Sequence, residues 1–137
     1  QLHQIWREMA DEGRISADHY RAATVMNFYK SPDEFMAPLK DTTSAAYRNG
    51  LRLIDQRTVY VECPYRRRWK ENGDTASFAS GLMATIRSWS RHSFASTAGD
   101  AAADELYGRL EKRIAAAPDE WSLDYVEHHQ MMEKVAA

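Results

Sequence analysis

The side chains of this chain best suited to chemistry lie in three small groups. Tyr65, Arg66, Arg67, Arg68 and Trp69 interleave cations with aromatic rings, the combination that grips phosphates and stacks on bases. His128, His129 and Glu133 are metal-ligating types close together in sequence. Cys63, the single cysteine, offers a thiol that could act as a nucleophile. Each group fails on its surroundings. The arginine run is isolated, is followed by Glu71 and Asp74, and belongs to a chain of formal net charge -2, which argues against electrostatic binding of nucleic acid. Adjacent residues on a strand point to opposite faces, so His128 and His129 cannot share one ion without distortion, and no metal is expected. Cys63 has no His or acidic partner in a recognisable arrangement and can form no internal disulfide. It reads as a small packed side chain in a reducing cytoplasmic setting.

The glycines at 13, 50, 73, 81, 99 and 108 never form the Gly-rich turn between strand and helix that binds a dinucleotide or a methyl donor. With 137 residues and 44% apolar content, the chain has the size and composition of one ordinary domain. No apolar run approaches the roughly 20 residues of a membrane-spanning helix, so no membrane partner is expected.

These groups must be positioned by elements legible in the pattern. Leu2, Ile5, Trp6, Met9 and Ala10 repeat at helical spacing before Asp11, Glu12 and Gly13 end the run. The sequence thus opens inside an amphipathic helix without Met or a cap, and the expectation is that it is the later part of a longer protein. Ser16 can cap a short helix carrying Tyr20, Ala23, Met26 and Asn27. In Ser31-Pro32-Asp33-Glu34, Ser at N-cap, Pro at the first helical position and Glu at the third predict a capping box for a helix with Phe35, Met36 and Leu39. After Asn49-Gly50, the β-branched and alternating run from Leu51 to Val61 predicts a strand, with a slip in phase near Asp55 to Arg57 and an end at Pro64.

The stretch from Arg66 to Asp74 reads as a polar loop. Phe78, Leu82, Ile86 and Trp89 then build one apolar stripe on a helix from about Thr75 to His92. Asp100 can cap a further helix, striped by Ala103, Leu106, Tyr107, Leu110 and Ile114, which Pro118 stops. Residues 122–134 are too polar for a buried helix and read as a final strand. The order is three helices, a strand, two helices and a strand: an α+β chain, mainly helical, with one two-stranded antiparallel pair. Two strands alone make a sheet of marginal stability, so the pair is expected to extend a sheet supplied upstream.

The pattern Trp6-x-x-Met9-x-x-Glu12-Gly13-x-Ile15, then Phe28-Tyr29-Lys30-Ser31-Pro32-Asp33-Glu34 and Gly50-Leu51-x-Leu53-Ile54, resembles the C-terminal half of the SABATH family of S-adenosylmethionine-dependent carboxyl methyltransferases. Ile86-Arg87-Ser88-Trp89 followed by Asp104-Glu105-Leu106-Tyr107-x-Arg109 continues the likeness, which spans the whole chain. Known members methylate the carboxylate of small acids such as salicylate, benzoate, jasmonate or indole-acetate. They hold the methyl donor in a Rossmann-like domain under a mostly helical cap, and are often homodimers. The resemblance implies that residues 1–137 form the acceptor-pocket cap and the last two strands, with S-adenosylmethionine bound by an upstream part and a small carboxylic acid as substrate. By the same resemblance Phe28, Tyr29, Ile86, Trp89, His92 and Tyr125 align with acceptor-pocket positions, with Leu82 and Met83 beside them.

A carboxylic acid of pKa near ~4 is ionised at neutral pH, so methylating it needs no general base, and no catalytic residue is expected in this chain. What the reaction needs is alignment of the carboxylate oxygen with the sulfonium methyl and exclusion of water, which aromatic and Met side chains provide. Plainer roles compete. Ile86 and Leu82 at helical spacing suit a core, Tyr29 suits a hydrophobic staple ahead of Ser31, and His92 suits a helix-end histidine. The competing function is a free-standing helical protein-interaction module.

Overall fold

A computed structural model describes residues 1–25 and 30–136. The chain is α+β and mostly helical, and it divides into a helical unit, Gln1–Met26 with Cys63–Leu123, and a ribbon unit, Asn27–Glu62 with Asp124–Ala137.

The helical unit contains α1 (Leu2–Asp11), α2 (Ala17–Ala22), α5 (Pro64–Asn72), α6 (Thr75–Ala98) and α7 (Asp100–Ala116), followed by a 3-10 turn at Pro118–Glu120. Its spine is the α6–α7 hairpin. Along α6, Phe78, Leu82, Ile86, Ser90 and Phe94 are buried at intervals of four, and α7 answers with Ala103, Leu106, Tyr107, Leu110 and Ile114. Helix α1 adds Ile5, Trp6 and Met9 to this core. Trp6 meets Phe94 edge to face at 4.9 Å between ring centres, and Phe94 meets Tyr107 the same way at 6.4 Å, the arrangement aromatic quadrupoles favour.

Ser90 is the buried polar residue of the stripe. Its hydroxyl bonds the Ile86 carbonyl at 2.6 Å and the Tyr107 hydroxyl at 2.6 Å. If Ser90 donates to the carbonyl, Tyr107 donates to Ser90, and both hydroxyls are satisfied without water. Burial pushes the Tyr107 phenol above its ordinary pKa, against the smaller opposing effects of Ser90, Arg87 and Arg91.

Ion pairs clasp α1 and the turn after it to α7. Arg109 holds Glu12 at 2.6 Å and Glu105 at 2.7 Å, Arg14 holds Glu105 at 2.9 Å, and Arg113 pairs with Glu8. The hydrogen bond from Arg109 keeps Glu12 below the ordinary carboxylate pKa, and those from Arg14 and Arg109 do the same for Glu105. Carboxylates whose folded pKa is lowered add stability above their unfolded pKa of about 4.3, and that stability is lost as pH falls through the folded value. The thermal midpoint should therefore hold steady from pH 7 to about 5 and fall below it. Melting curves across this range check the expectation, and in Arg109→Gln the acid drop should be shallower. A midpoint equally pH-dependent in both proteins would show that the clasp contributes nothing.

The ribbon unit contains α3 (Pro32–Lys40), α4 (Ala45–Arg48), β1 (Leu51–Val61) and β2 (Tyr125–Lys134). The capping box is present in full: Ser31 Oγ accepts from Glu34 N at 3.2 Å and Glu34 Oε2 accepts from Ser31 N at 2.7 Å. Strands β1 and β2 pair antiparallel, from Leu51 opposite Lys134 to Val61 opposite Tyr125. Helix α3 buries Met36 and Leu39 and packs near β1, and its Phe35 ring tilts over His128 at 6.4 Å.

Several expectations need correction. The stretch expected as a polar loop from Arg66 to Asp74 is helical through Asn72, since Pro64 occupies a first-turn position and Gly73, at φ 71°, closes the end in the left-handed conformation. A short extra helix, α4, stands between α3 and β1, capped by Ser44. The short helix after Gly13 stops at Ala22, and Met26 and Asn27 lie outside the described residues. The phase slip in β1 falls between Leu53 and Asp55, slightly earlier than the sequence suggested. Asp100 is the first residue of α7 and the cap position belongs to Gly99, whose φ of 87° turns the chain between the long helices. The last strand begins at Tyr125.

Candidate functional site

Helix α6 carries the candidate site on the side turned from its core stripe. Trp89 is 51% exposed, a large aromatic surface for a residue on the longest helix, and His92, one turn further, is exposed too. The expected stripe through Phe78, Leu82, Ile86 and Trp89 therefore breaks at its last member. Ser90 and Phe94 continue the buried row, and Trp89 is rotated out of it.

Tyr65 of α5 flanks this face because α6 has Gly81 where it crosses. A Cβ at Gly81 would come within 2.7 Å of two Tyr65 ring carbons, so only glycine lets the ring lie that close. The Tyr65 hydroxyl reaches Thr85 Oγ1 at 2.9 Å, and Thr85 Oγ1 lies 3.2 Å from the Gly81 carbonyl oxygen. With Thr85 donating to that carbonyl, Tyr65 becomes the donor to Thr85, which fixes the phenol's direction. Ser88 bonds back to the Thr85 carbonyl at 2.7 Å. The face from Gly81 to His92 thus presents small or internally satisfied polar groups around one exposed indole, a surface suited to an aromatic or apolar ligand.

The other residues implied by the resemblance are distributed differently. Ile86 is 7% exposed and belongs to the core of the helical unit, as do Leu82 and, at its margin, Met83. Tyr125 opens β2 in the ribbon unit and is 49% exposed. Phe28 and Tyr29 lie outside the described residues. Within one unit, then, Trp89 and His92 share an exposed helix face, and Ile86 stands behind them.

The three groups singled out first also find their places. Cys63 is fully buried at the start of α5. Arg66 donates to the Asp119 carbonyl at 3.2 Å, while Arg67 and Arg68 project from α5, and Trp69 stacks on Phe78 at 5.4 Å and donates to Thr75 Oγ1 at 3.1 Å. Three of the five residues of the aromatic-basic run, Tyr65, Arg66 and Trp69, are therefore engaged within the helical unit. His128 opposes Thr58 and bonds its hydroxyl at 3.0 Å, whereas His129 opposes Arg57 and bonds Glu127 at 2.9 Å, so the two imidazoles do point to opposite faces. Among the described residues, no three His, Cys, Asp or Glu side chains are arranged to hold a metal ion. Nor is any described helix long and apolar enough to cross a membrane.

Sequence reasoning named Tyr65 only beside the arginine run, just ahead of the supposed loop from Arg66 to Asp74, and missed its place against α6. Its signal was the spacing to Trp69, four residues on, which puts both rings on one side of a helix turn. Comparison with protein-family models finds no match, and comparison with curated proteins finds none either.

Proposed function

We propose that this chain is the acceptor-side portion of an S-adenosylmethionine-dependent carboxyl methyltransferase of the SABATH type. In this reading the cap covers a small carboxylic acid, and the donor is bound by a segment encoded ahead of Gln1. The observation that carries it is the antiparallel pairing of β1 with β2, two strands separated in sequence by the helices α5 to α7, together with the exposed tryptophan on α6. That order of elements supports the reading. A half-exposed indole on a rigid helix gives flat apolar area at low entropic cost. It would hold the hydrocarbon part of an acid while leaving the carboxylate free for the sulfonium methyl. No residue of this chain needs to move a proton, because the acceptor is ionised at neutral pH.

The test uses the protein extended through its upstream segment. Such a protein should transfer methyl from S-adenosylmethionine to one or more acids in a panel of aromatic and aliphatic carboxylates, giving the ester and S-adenosylhomocysteine. Trp89→Ala should lower kcat/KM for that acid by about 10- to 100-fold, since displacing a reactant by ~1 Å can cost a hundredfold. Donor affinity should stay within about twofold. No ester with any acid overturns the reading. Ester formation with Trp89→Ala kinetics unchanged removes Trp89 from the pocket.

A further inference from the structure

We propose that His129 and Met131 hold a soft monovalent metal ion, Cu(I), on one face of the ribbon unit. The two residues stand two apart on β2 and therefore point to the same face, about 7 Å apart along the strand, a span that two side chains can close on a single ion. Their cross-strand partners are Arg57 and Asp55. These four residues, with Gln130, line an open groove of about 410 Å³, wide enough for an ion to enter with its water. Met131 is 59% exposed, so its thioether is spent on no core.

The imidazole is already oriented for a metal. His129 Nε2 lies 2.9 Å from Glu127 Oε2. With Nε2–H donating to that carboxylate, the lone pair of the neutral ring sits on Nδ1, and a carboxylate behind the imidazole is the usual support of a metal-bound histidine. The charges fit as well. Glu127 lies on the same face as His129, so with Asp55 it sets two carboxylates against the single cation Arg57. The donor set selects the ion: a thioether with an imidazole is a soft pair that suits Cu(I), whereas Mg²⁺ and Ca²⁺ seek oxygen and Zn²⁺ takes thiolate, imidazole or carboxylate. Cu(I) tolerates few ligands, so the two histidines need not share it. The remaining His and Met of the strand make no second site. His128 Nδ1 is bonded to the Thr58 hydroxyl, its Nε2 is shielded, and Met132 stands four residues on, about 13 Å along the strand. The inference uses no residue of the α6 face, so its failure would leave the methyltransferase reading standing.

Ag(I), a diamagnetic stand-in for Cu(I), is titrated into the 137-residue chain carrying isotope-labelled Met methyl groups. The Met131 methyl and the His129 ring should shift first in the NMR spectrum and saturate together at a single equivalent. Cys63→Ala, which removes the only thiol, should leave that response unchanged. Anaerobic competition against a Cu(I) chelator then gives the affinity. Met131→Leu and His129→Gln should each weaken it at least tenfold, and Glu127→Gln, which acts only by orienting the ring, about tenfold. Arg57→Gln should tighten it by about twofold, since it removes a nearby like charge. Met132→Leu, on the other face, should change nothing. No shift at Met131, a response confined to Cys63, or an affinity indifferent to both Met131→Leu and His129→Gln overturns the proposal. So does a site from which an equal concentration of Zn²⁺ displaces the ion.

Discussion

Trp6→Ala should destabilise the helical unit by about 3–5 kcal/mol, the range for truncating a large aromatic in a closed core. Trp6 is fully buried in α1, packs edge to face on Phe94, and donates its indole N–H to the His19 carbonyl at 3.4 Å. Alanine would leave a void between α1 and the α6–α7 hairpin and remove one of the two donors to that carbonyl, the other being Ala23 N at 3.2 Å. Against a total stability of about 5–15 kcal/mol for an ordinary domain, such a loss is a large fraction. A unit of this size should show a thermal midpoint lower by on the order of 15 °C or more. The internal control is Trp89→Ala, whose side chain is half exposed and should cost under about 1 kcal/mol. The two tryptophans thus separate core from surface by the same substitution. Circular dichroism melts of both variants check this. Equal shifts would mean that the indole of Trp89 is covered in solution.

How far the sequence discloses this fold depends on how local each signal is. The capping box at Ser31 to Glu34 needs only its four residues, and it stands as read. The antiparallel pairing of β1 and β2 is expected because one strand alone makes no sheet and the pattern offers these two segments, and it too is present. Helix α5 was hidden because Arg66, Arg67, Arg68 and Lys70 swamp the apolar period that Tyr65 and Trp69 keep. The helix expected from about Thr75 to His92 runs on to Ala98, and its buried row continues through Ser90, whose hydroxyl meets that of Tyr107, seventeen residues away. The buried row steps by four from Ile86 to Ser90 and Phe94 and leaves Trp89 exposed, whereas offsets of three and four suit a helix stripe equally, so periodicity alone could not place the chief candidate site residue.

Gly50→Ala should be the most damaging single change in the ribbon unit. Gly50 sits at φ 82°, a left-handed conformation that costs an L-residue roughly 1–2 kcal/mol. Strain is the smaller part. An added Cβ would collide with the Val135 carbonyl oxygen, a backbone atom that cannot swing aside, because Val135 N donates to the Gly50 carbonyl at 2.9 Å and holds the two segments together. Relief would require separating Val135 from Gly50 at the end where β1 begins and β2 finishes, where Leu51 opposes Lys134. Gly13 and Gly73, both at φ 71° with open space of at least 4 Å around the position a Cβ would take, separate the two effects. Gly13→Ala and Gly73→Ala should lose only the conformational cost, about 1 kcal/mol, while Gly50→Ala should lose at least twice that. Amide hydrogen exchange is the direct measurement, with protection in residues 51–53 and 132–134 falling selectively in Gly50→Ala. If the three substitutions cost the same, the Val135 contact is soft, and the register of the ribbon is set by its cross-strand pairs and not by the tight approach at Gly50.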